Sequence, residues 1–182
     1  MAMTIVSRRS VFGLAAGAAA LVPVFAHATA ALSPLGRELA FYNIHTSETT
    51  RVLYFDNGKY VPDALESLNH FLRDWRTGDI HTIDPALFDQ LHDLQALTEG
   101  QGAFTVICGY RSPKTNEALH ERSSGVATHS QHLLGKAMDL NLPGKDLSHL
   151  HAAALSLKAG GVGYYPNSDF IHMDTGPVRQ WT

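Results

Sequence analysis

The chain has 182 residues, 45% of them hydrophobic and 17% charged, enough for one globular domain with its own core. Its 14 Lys and Arg against 17 Asp and Glu give a formal charge of −3, which argues against nucleic acid as a partner because that needs a basic face. A single cysteine, Cys108, excludes an internal disulfide and a cysteine-based structural zinc site.

The stretch MAMTIVSRRSVFGLAAGAAALVPVFAHATA opens with a basic pair, Arg8 and Arg9, runs through Ala and Gly, and ends at the small-x-small sequence Ala26-His27-Ala28. That pattern reads as a secretory signal over residues 1–28 of the twin-arginine type, with cleavage after Ala28. The run is short and interrupted by Pro23, so no stable membrane insertion is expected after cleavage, and the destination is the periplasm. Loss of Arg8 and Arg9, with no acidic residue, moves the formal charge from −3 to −5.

Residues 29–182 read as one domain, without repeats or linkers. ELAFYNIHTSETTRVLYFDNGKY alternates as two strands joined by a polar turn, with Asp56-Asn57-Gly58 closing the second. VPDALESLNHFLRDW sets Val61, Ala64, Leu65, Leu68, Phe71, Leu72 and Trp75 on one helical face behind Pro62. In DPALFDQLHDLQALTEG, Asp84 is the N-cap, Pro85 follows at the first helical position, and Gly100 is the stop. AFTVICGY is a buried strand in which Cys108 reads as a small hydrophobe. Ser112-Pro113 starts a short helix, and DLSHLHAAALSLKAGG is another helix ended by Gly160-Gly161. VGYY and DFIHMDTG are short strands around the turn Pro166-Asn167-Ser168. Helices ahead of a strand-rich half that holds the unusual polar residues indicate an α+β fold.

That half contains HSQHLLGKAMDL. His132 and Asp139 are seven apart, Gly135 permits a turn between them, and Ala137-Met138-Asp139-Leu140 alternates as a strand. Such a pair could be a capped turn, a surface ion pair or part of a metal site. His172, in a later apolar strand, completes two imidazoles and a carboxylate, the donor set of a catalytic zinc that keeps a fourth position for water. Met138 and Met173 would then pack around the metal.

At these residues the chain resembles a known family. Ser130-Gln131-His132 through Asp139, followed by a late histidine strand, is similar to the M15-type zinc D-Ala-D-Ala metallopeptidases. SLNHFLRDWRTGDIHTIDPALFDQL, CGYRSPKTNEAL, HSQHLLGKAMDL and FIHMDTGPVRQW, in that order, resemble the murein endopeptidase K branch across the mature chain. The resemblance implies one zinc ion and a fold shared with the hedgehog signalling domain, with a small antiparallel sheet carrying the site between flanking helices. It also implies hydrolysis of cross-links between peptidoglycan stem peptides.

Amide hydrolysis asks for a base near the water and a charge sink for the carbonyl oxygen. The resemblance puts Arg111 at the oxyanion and Asp169 at the base, three residues before His172. Strict strand alternation opposes Asp169, because His172 and Asp174 share a face while Asp169 does so only if the chain is still turning after Ser168. Asp174 is the alternative base, or it orients His172 or caps the next turn. Ser130 is expected to bond backbone, His129 to be exposed or to sit behind the ligands, and Tyr164 and Tyr165 to line the cleft or pack. Lys136 is a second candidate cation for substrate carboxylates. His149 and His151, two apart on a helix, do not share a face and make a poor metal pair. The residues leave open a DD- or LD-carboxypeptidase, and a non-catalytic zinc-bearing module that binds the cell wall or a protein partner.

Overall fold

The computed structural model describes residues 36–123 and 126–182; the export signal expected over residues 1–28 lies outside them. Strands β1 (Arg37–Asn43) and β2 (Thr49–Asp56) form an antiparallel hairpin. The short β3 (Lys59–Tyr60) folds back on β2 through Asn57 and Gly58, both at positive φ. That conformation suits Asn-Gly and matches the twist of a two-residue hairpin.

Helix α1 (Pro62–Phe71) begins with proline and buries Ala64, Leu68 and Phe71. It stops short of Trp75, which is 38% exposed and stacks on His45 at 4.1 Å between ring centroids, so the helical face expected to run to Trp75 ends earlier. Helix α2 (Pro85–Leu97) is capped by Asp84, whose carboxylate accepts from the Ala86 amide. Its left-handed terminal residue is Glu99 rather than Gly100. Strand β4 (Phe104–Cys108) leads to α3 (Pro113–His120), and β5 (Ala137–Asn141) to α4 (Leu147–Leu157). Lys158, at φ 50°, ends α4, and Gly161 already belongs to β6 (Gly161–Tyr165), so the Gly160-Gly161 stop is displaced. Strands β7 (Phe170–Asp174) and β8 (Arg179–Trp181) complete the chain.

The eight strands of the described residues join one sheet in the order β3-β2-β1-β4-β5-β7-β6-β8. The α+β class is as expected. The small antiparallel sheet is not, because both halves of the chain contribute strands, and the β1–β4 and β6–β8 pairings are parallel. Helix α1 packs on β2, α2 on β1, and α4 on β6, β7 and α2. Phe41, Phe104, Val106, Leu140 and Ile171 meet Leu87, Phe88, Leu91 and Leu150 in the core. Each fully buried side chain of this size stabilises by about 1.5–3 kcal/mol.

Period-two alternation then sends the intervening residues to the other face of the sheet. Met138 and Met173 belong to the core, so they lie on the face opposite Asp139 and His172 and do not surround a metal. One irregularity matters more. Val106 pairs with Leu140 but Cys108 pairs with Asp139, so β4 carries an extra residue at Ile107. This bulge breaks the alternation and turns Cys108 toward Asp139 rather than into the core, where the sequence placed it.

Candidate active site

His132 sits in a 3-10 turn, Gln131–Leu134. Ser130 Oγ accepts from the His132 amide at 3.3 Å, as expected of a turn-capping serine. Gly135 ends the turn at φ 64°. A Cβ there would collide with the carbonyl oxygen of Thr82 as well as demanding a left-handed backbone. Two residues later β5 begins and delivers Asp139, whose Cα partner across the ladder is His172 of β7. Sequence spacing and strand register therefore bring the three expected ligands together.

His132 Nε2 lies 3.2 Å from His172 Nδ1 and 3.3 Å from Asp139 Oδ1, and His172 Nδ1 lies 2.9 Å from the same oxygen. Tetrahedral bonds of about 2.0–2.1 Å give donor separations near 3.3 Å, so the triangle has the dimensions of one face of such a site. The outer ring nitrogens fix the tautomers. His132 Nδ1 is 2.7 Å from the Gly109 carbonyl, which can only accept, and His172 Nε2 is 2.9 Å from Asp174 Oδ2. Both outer nitrogens can donate, so once a metal displaces the proton shared with Asp139 the lone pairs of the two inner nitrogens are turned toward it. The donor set and its spacing fit a single divalent cation.

Charge points the same way. Burial pushes the His132 pKa down and the Asp139 pKa up, yet their mutual attraction prevails, so His132 rises well above the usual histidine range and Asp139 falls below the usual carboxylate range. The cluster therefore attracts positive charge strongly, and a metal competes with the proton for it. Asp174 is fully buried. Despite that burial its pKa is also lowered, by His172, Arg179 and the Gly176 amide. Arg179 binds it with Nη2 at 2.6 Å and Nη1 at 3.0 Å, and the Gly161 and Gly176 amides donate at 3.1 and 2.8 Å.

The triangle opens into a cleft of about 410 Å³ whose walls include Arg111, His129, Tyr165, Phe170, Arg179 and Trp181. Arg111 reaches it just past the β4 bulge. Its Nη2 is 3.9 Å from Asp139 Oδ2 and 3.7 Å from Cys108 Sγ, while its buried Nε has no partner. The following residue, Ser112, is anchored by Asp74 Oδ2, which accepts from its hydroxyl at 2.7 Å and its amide at 2.9 Å. Exposed His129 and half-buried Tyr165 line the cleft; Tyr164 packs on the core and stacks on His151 instead.

Asp169 and Lys136 are exposed and outside the lining residues. Asp169 adopts φ 54° at the end of the Pro166–Ser168 turn, so the chain is indeed still turning there, and its carboxylate accepts from Asn141 Nδ2 at 2.8 Å. Asn141 lies two residues after Asp139 on β5.

Sequence reasoning missed Cys108, Arg179, Trp181 and Asp74. Cys108 Sγ lies within 4.8 Å of donor atoms of His132 and Asp139, a second set that could hold a metal. The Gly-x-Gly of β6 was a usable signal for Arg179 and Trp181, which press on Gly161 and Gly163, but not for Asp74. A Cβ on Gly163 would stand 2.7 Å from the Trp181 indole, and one on Gly161 would be 2.5 Å from Asp174 Oδ2.

The family model described as peptidoglycan L,D-endopeptidase MepK (Peptidase_M15_2) matches residues 31–181. Peptidoglycan L,D-endopeptidase MepK of Escherichia coli K12 is 49% identical over 169 residues, covering 93% of this chain and 92% of that protein. The probable MepK of Haemophilus influenzae is 43% identical over 150 residues, covering 82% and 81%. This chain belongs to the MepK family of M15-type peptidases.

Proposed function

We propose that this chain is a zinc-dependent L,D-endopeptidase that cuts cross-links between peptidoglycan stem peptides. The observation that carries the reading is the triangle of lone-pair donors, His132 Nε2, Asp139 Oδ1 and His172 Nδ1, all within 3.3 Å of one another at the floor of an open cleft. The relatives' name supplies the bond, from an L-configured carbonyl centre to a D-configured amine centre. These three residues would hold the zinc, which when bound would supply Lewis-acid polarisation of the scissile carbonyl and a water acidified toward a pKa of about 7.

The remaining work falls to the chain. Arg111 projects from the end of β4 with guanidinium hydrogens not fully satisfied by protein, which suits it to a developing oxyanion. Asp174 has its oxygens engaged by His172, Arg179 and two amides, so it orients His172 and cannot also take a proton. Asp169 is the base in this reading, as the resemblance implies, acting from just outside the residues that line the cleft. It keeps one carboxylate oxygen free of the Asn141 amide, and it adjoins Phe170 of the cleft wall. Arg179 and Arg111 make the cleft attractive to the carboxylates of stem peptides. Among the described residues no helix is long and apolar enough to cross a membrane. Separately, Arg8, Arg9 and the apolar run after them read as an export signal of the twin-arginine type, which would deliver residues 29–182 to the periplasm. The hedgehog-like arrangement implied by the resemblance stands on the family alone.

The test is digestion of purified peptidoglycan followed by separation of the products. Dimers joined through an L,D bond should fall to monomers with the zinc-loaded protein, and persist with chelator or with His132→Ala. D,D-linked dimers should persist throughout. Survival of the L,D-linked dimers with the zinc-loaded protein sinks the reading.

A further inference from the structure

We propose that Arg179 reads the carboxylate borne by the amine half of the scissile bond, and so sets which cross-links the cleft accepts. This rests on the endopeptidase reading above and adds a substrate contact to it.

The bond itself supplies the ligand. A D-configured amine centre carries its nitrogen and its carboxyl on the same carbon. In a cross-link that nitrogen belongs to a side arm, so the carboxyl ends free instead of entering a further peptide bond. A carboxylate therefore stands one carbon away from the scissile nitrogen, and the cleft has to meet it.

Arg179 presents the matching edge. Its Nη1 gives one hydrogen to Asp174 Oδ1 at 3.0 Å and the other to the Pro177 carbonyl at 3.0 Å, while Nη2 gives one to Asp174 Oδ2 at 2.6 Å. The second Nη2 hydrogen and the Nε hydrogen lie side by side on the remaining edge and have no partner among the described residues. The Nη1 end is closed off, because a Cβ on Gly161 would collide with it and one on Gly176 would stand 3.2 Å away. The open edge is a planar fork of the kind that pairs with a carboxylate through two parallel hydrogen bonds. It belongs to a side chain that is 41% exposed and lines the cleft.

The fork is also held in place beside the chemistry. Asp174 grips its far end, and its Cζ lies 5.0 Å from the centroid of the Trp181 ring. That ring is in turn 5.1 Å from the His172 ring, centroid to centroid. Tyr165 Oη accepts from Trp181 Nε1 at 2.7 Å, which leaves the phenol hydrogen to donate into the same cleft. Arg179, Trp181 and Tyr165 thus form one wall that starts at a histidine of the triangle. Arg111 reaches the site from beside Asp139, whereas Arg179 stands behind His172 Nε2, so the two guanidiniums serve different parts of the substrate.

Three synthetic L,D-linked dimers test this. In one, every carboxylate is free; in the second, the carboxylate beside the scissile nitrogen is a carboxamide; in the third, the carboxamide replaces a carboxylate remote from the bond. The zinc-loaded native protein should cleave the first with kcat/KM about tenfold or more above the second, chiefly through KM, because a carboxamide cannot accept from both fork hydrogens as a carboxylate does. The third should be cleaved like the first, a comparison that needs no variant. In Arg179→Lys, which keeps the cation and loses the fork, the preference for the first dimer over the second should shrink toward none. A residue acting only through Asp174 would slow both dimers alike, so an unchanged preference in Arg179→Lys overturns the proposal. Equal cleavage of all three dimers by the native protein also overturns it and leaves the endopeptidase reading standing. A native protein that cleaves none of them overturns both.

Discussion

His172 and Asp174 are two residues apart on β7, share a face, and meet with Nε2 2.9 Å from Oδ2. The carboxylate holds the ring in the tautomer that turns Nδ1 toward Asp139, and Arg179 holds the carboxylate. Replacing Asp174 by Asn keeps the shape but removes the charge and half of the acceptor capacity. Zinc affinity of Asp174→Asn should fall about 10–100-fold, the range typical of partners behind a metal-bound histidine. Chelator competition measures it. Activity recovered by excess zinc would confirm a positioning role; unchanged affinity would refute it.

Gly163 is pressed by Trp181, whose indole atoms stand 2.7–2.8 Å from where a Cβ would be. The indole in turn donates from Nε1 to Tyr165 Oη at 2.7 Å and forms part of the cleft wall. Gly163→Ala must push the ring outward or spread β6 from β8. We expect a loss of about 1–3 kcal/mol, typical of overpacking, together with a change in tryptophan emission. A variant as stable as the parent, with unaltered emission, would show that the wall can yield freely.

Much of this fold was legible because it follows local rules. Pro62, Asp84-Pro85 and Ser112-Pro113 mark the starts of α1, α2 and α3, and Asn57-Gly58 marks the β2–β3 turn. The convergence of His132, Asp139 and His172 is legible from a turn glycine, strand alternation and family motifs together. What escaped depends on pairing between distant segments. The parallel neighbours β1 and β4 leave no periodic trace in either strand. Cys108 was assigned to the core because the bulge that redirects it is visible only against β5. Asp74 carries no local signal, yet it is buried beneath Ser112, 38 positions away.

Asp74 yields a pH prediction. Burial raises its pKa, but the Ser112 hydroxyl and amide, Thr115 and the Arg76 amide outweigh that and bring it below the usual carboxylate value. A carboxyl whose folded pKa is depressed stabilises the protein above its unfolded pKa, and the contribution fades as pH falls through about 4 and below. Asp74→Asn should therefore cost about 1–3 kcal/mol near neutral pH, the penalty for weakening buried hydrogen bonds to a charged group. The gap from the parent should narrow in acid. Urea unfolding at about pH 7 and about pH 3 tests this, and a gap that does not change with pH would contradict it.

Arg111 separates holding the fold from serving the reaction. Its guanidinium is 3.9 Å from Asp139 and 3.4 Å from Asn116 Oδ1, contacts too long to contribute much to stability. The backbone of Arg111 does more for the site, since its amide donates to the His132 carbonyl at 3.2 Å, and no side-chain substitution removes that bond. Arg111→Lys keeps a positive charge but loses the planar fork, and Arg111→Ala loses both. If the fork stabilises the oxyanion, kcat should drop about 10²–10³-fold in Arg111→Ala and by less in Arg111→Lys, while zinc content stays near one per chain. KM for a cross-linked peptide dimer should change much less than kcat, because the oxyanion exists only in the transition state. A loss confined to KM would instead make Arg111 a carboxylate anchor for the stem peptide, and the charge sink would have to be sought elsewhere in the cleft.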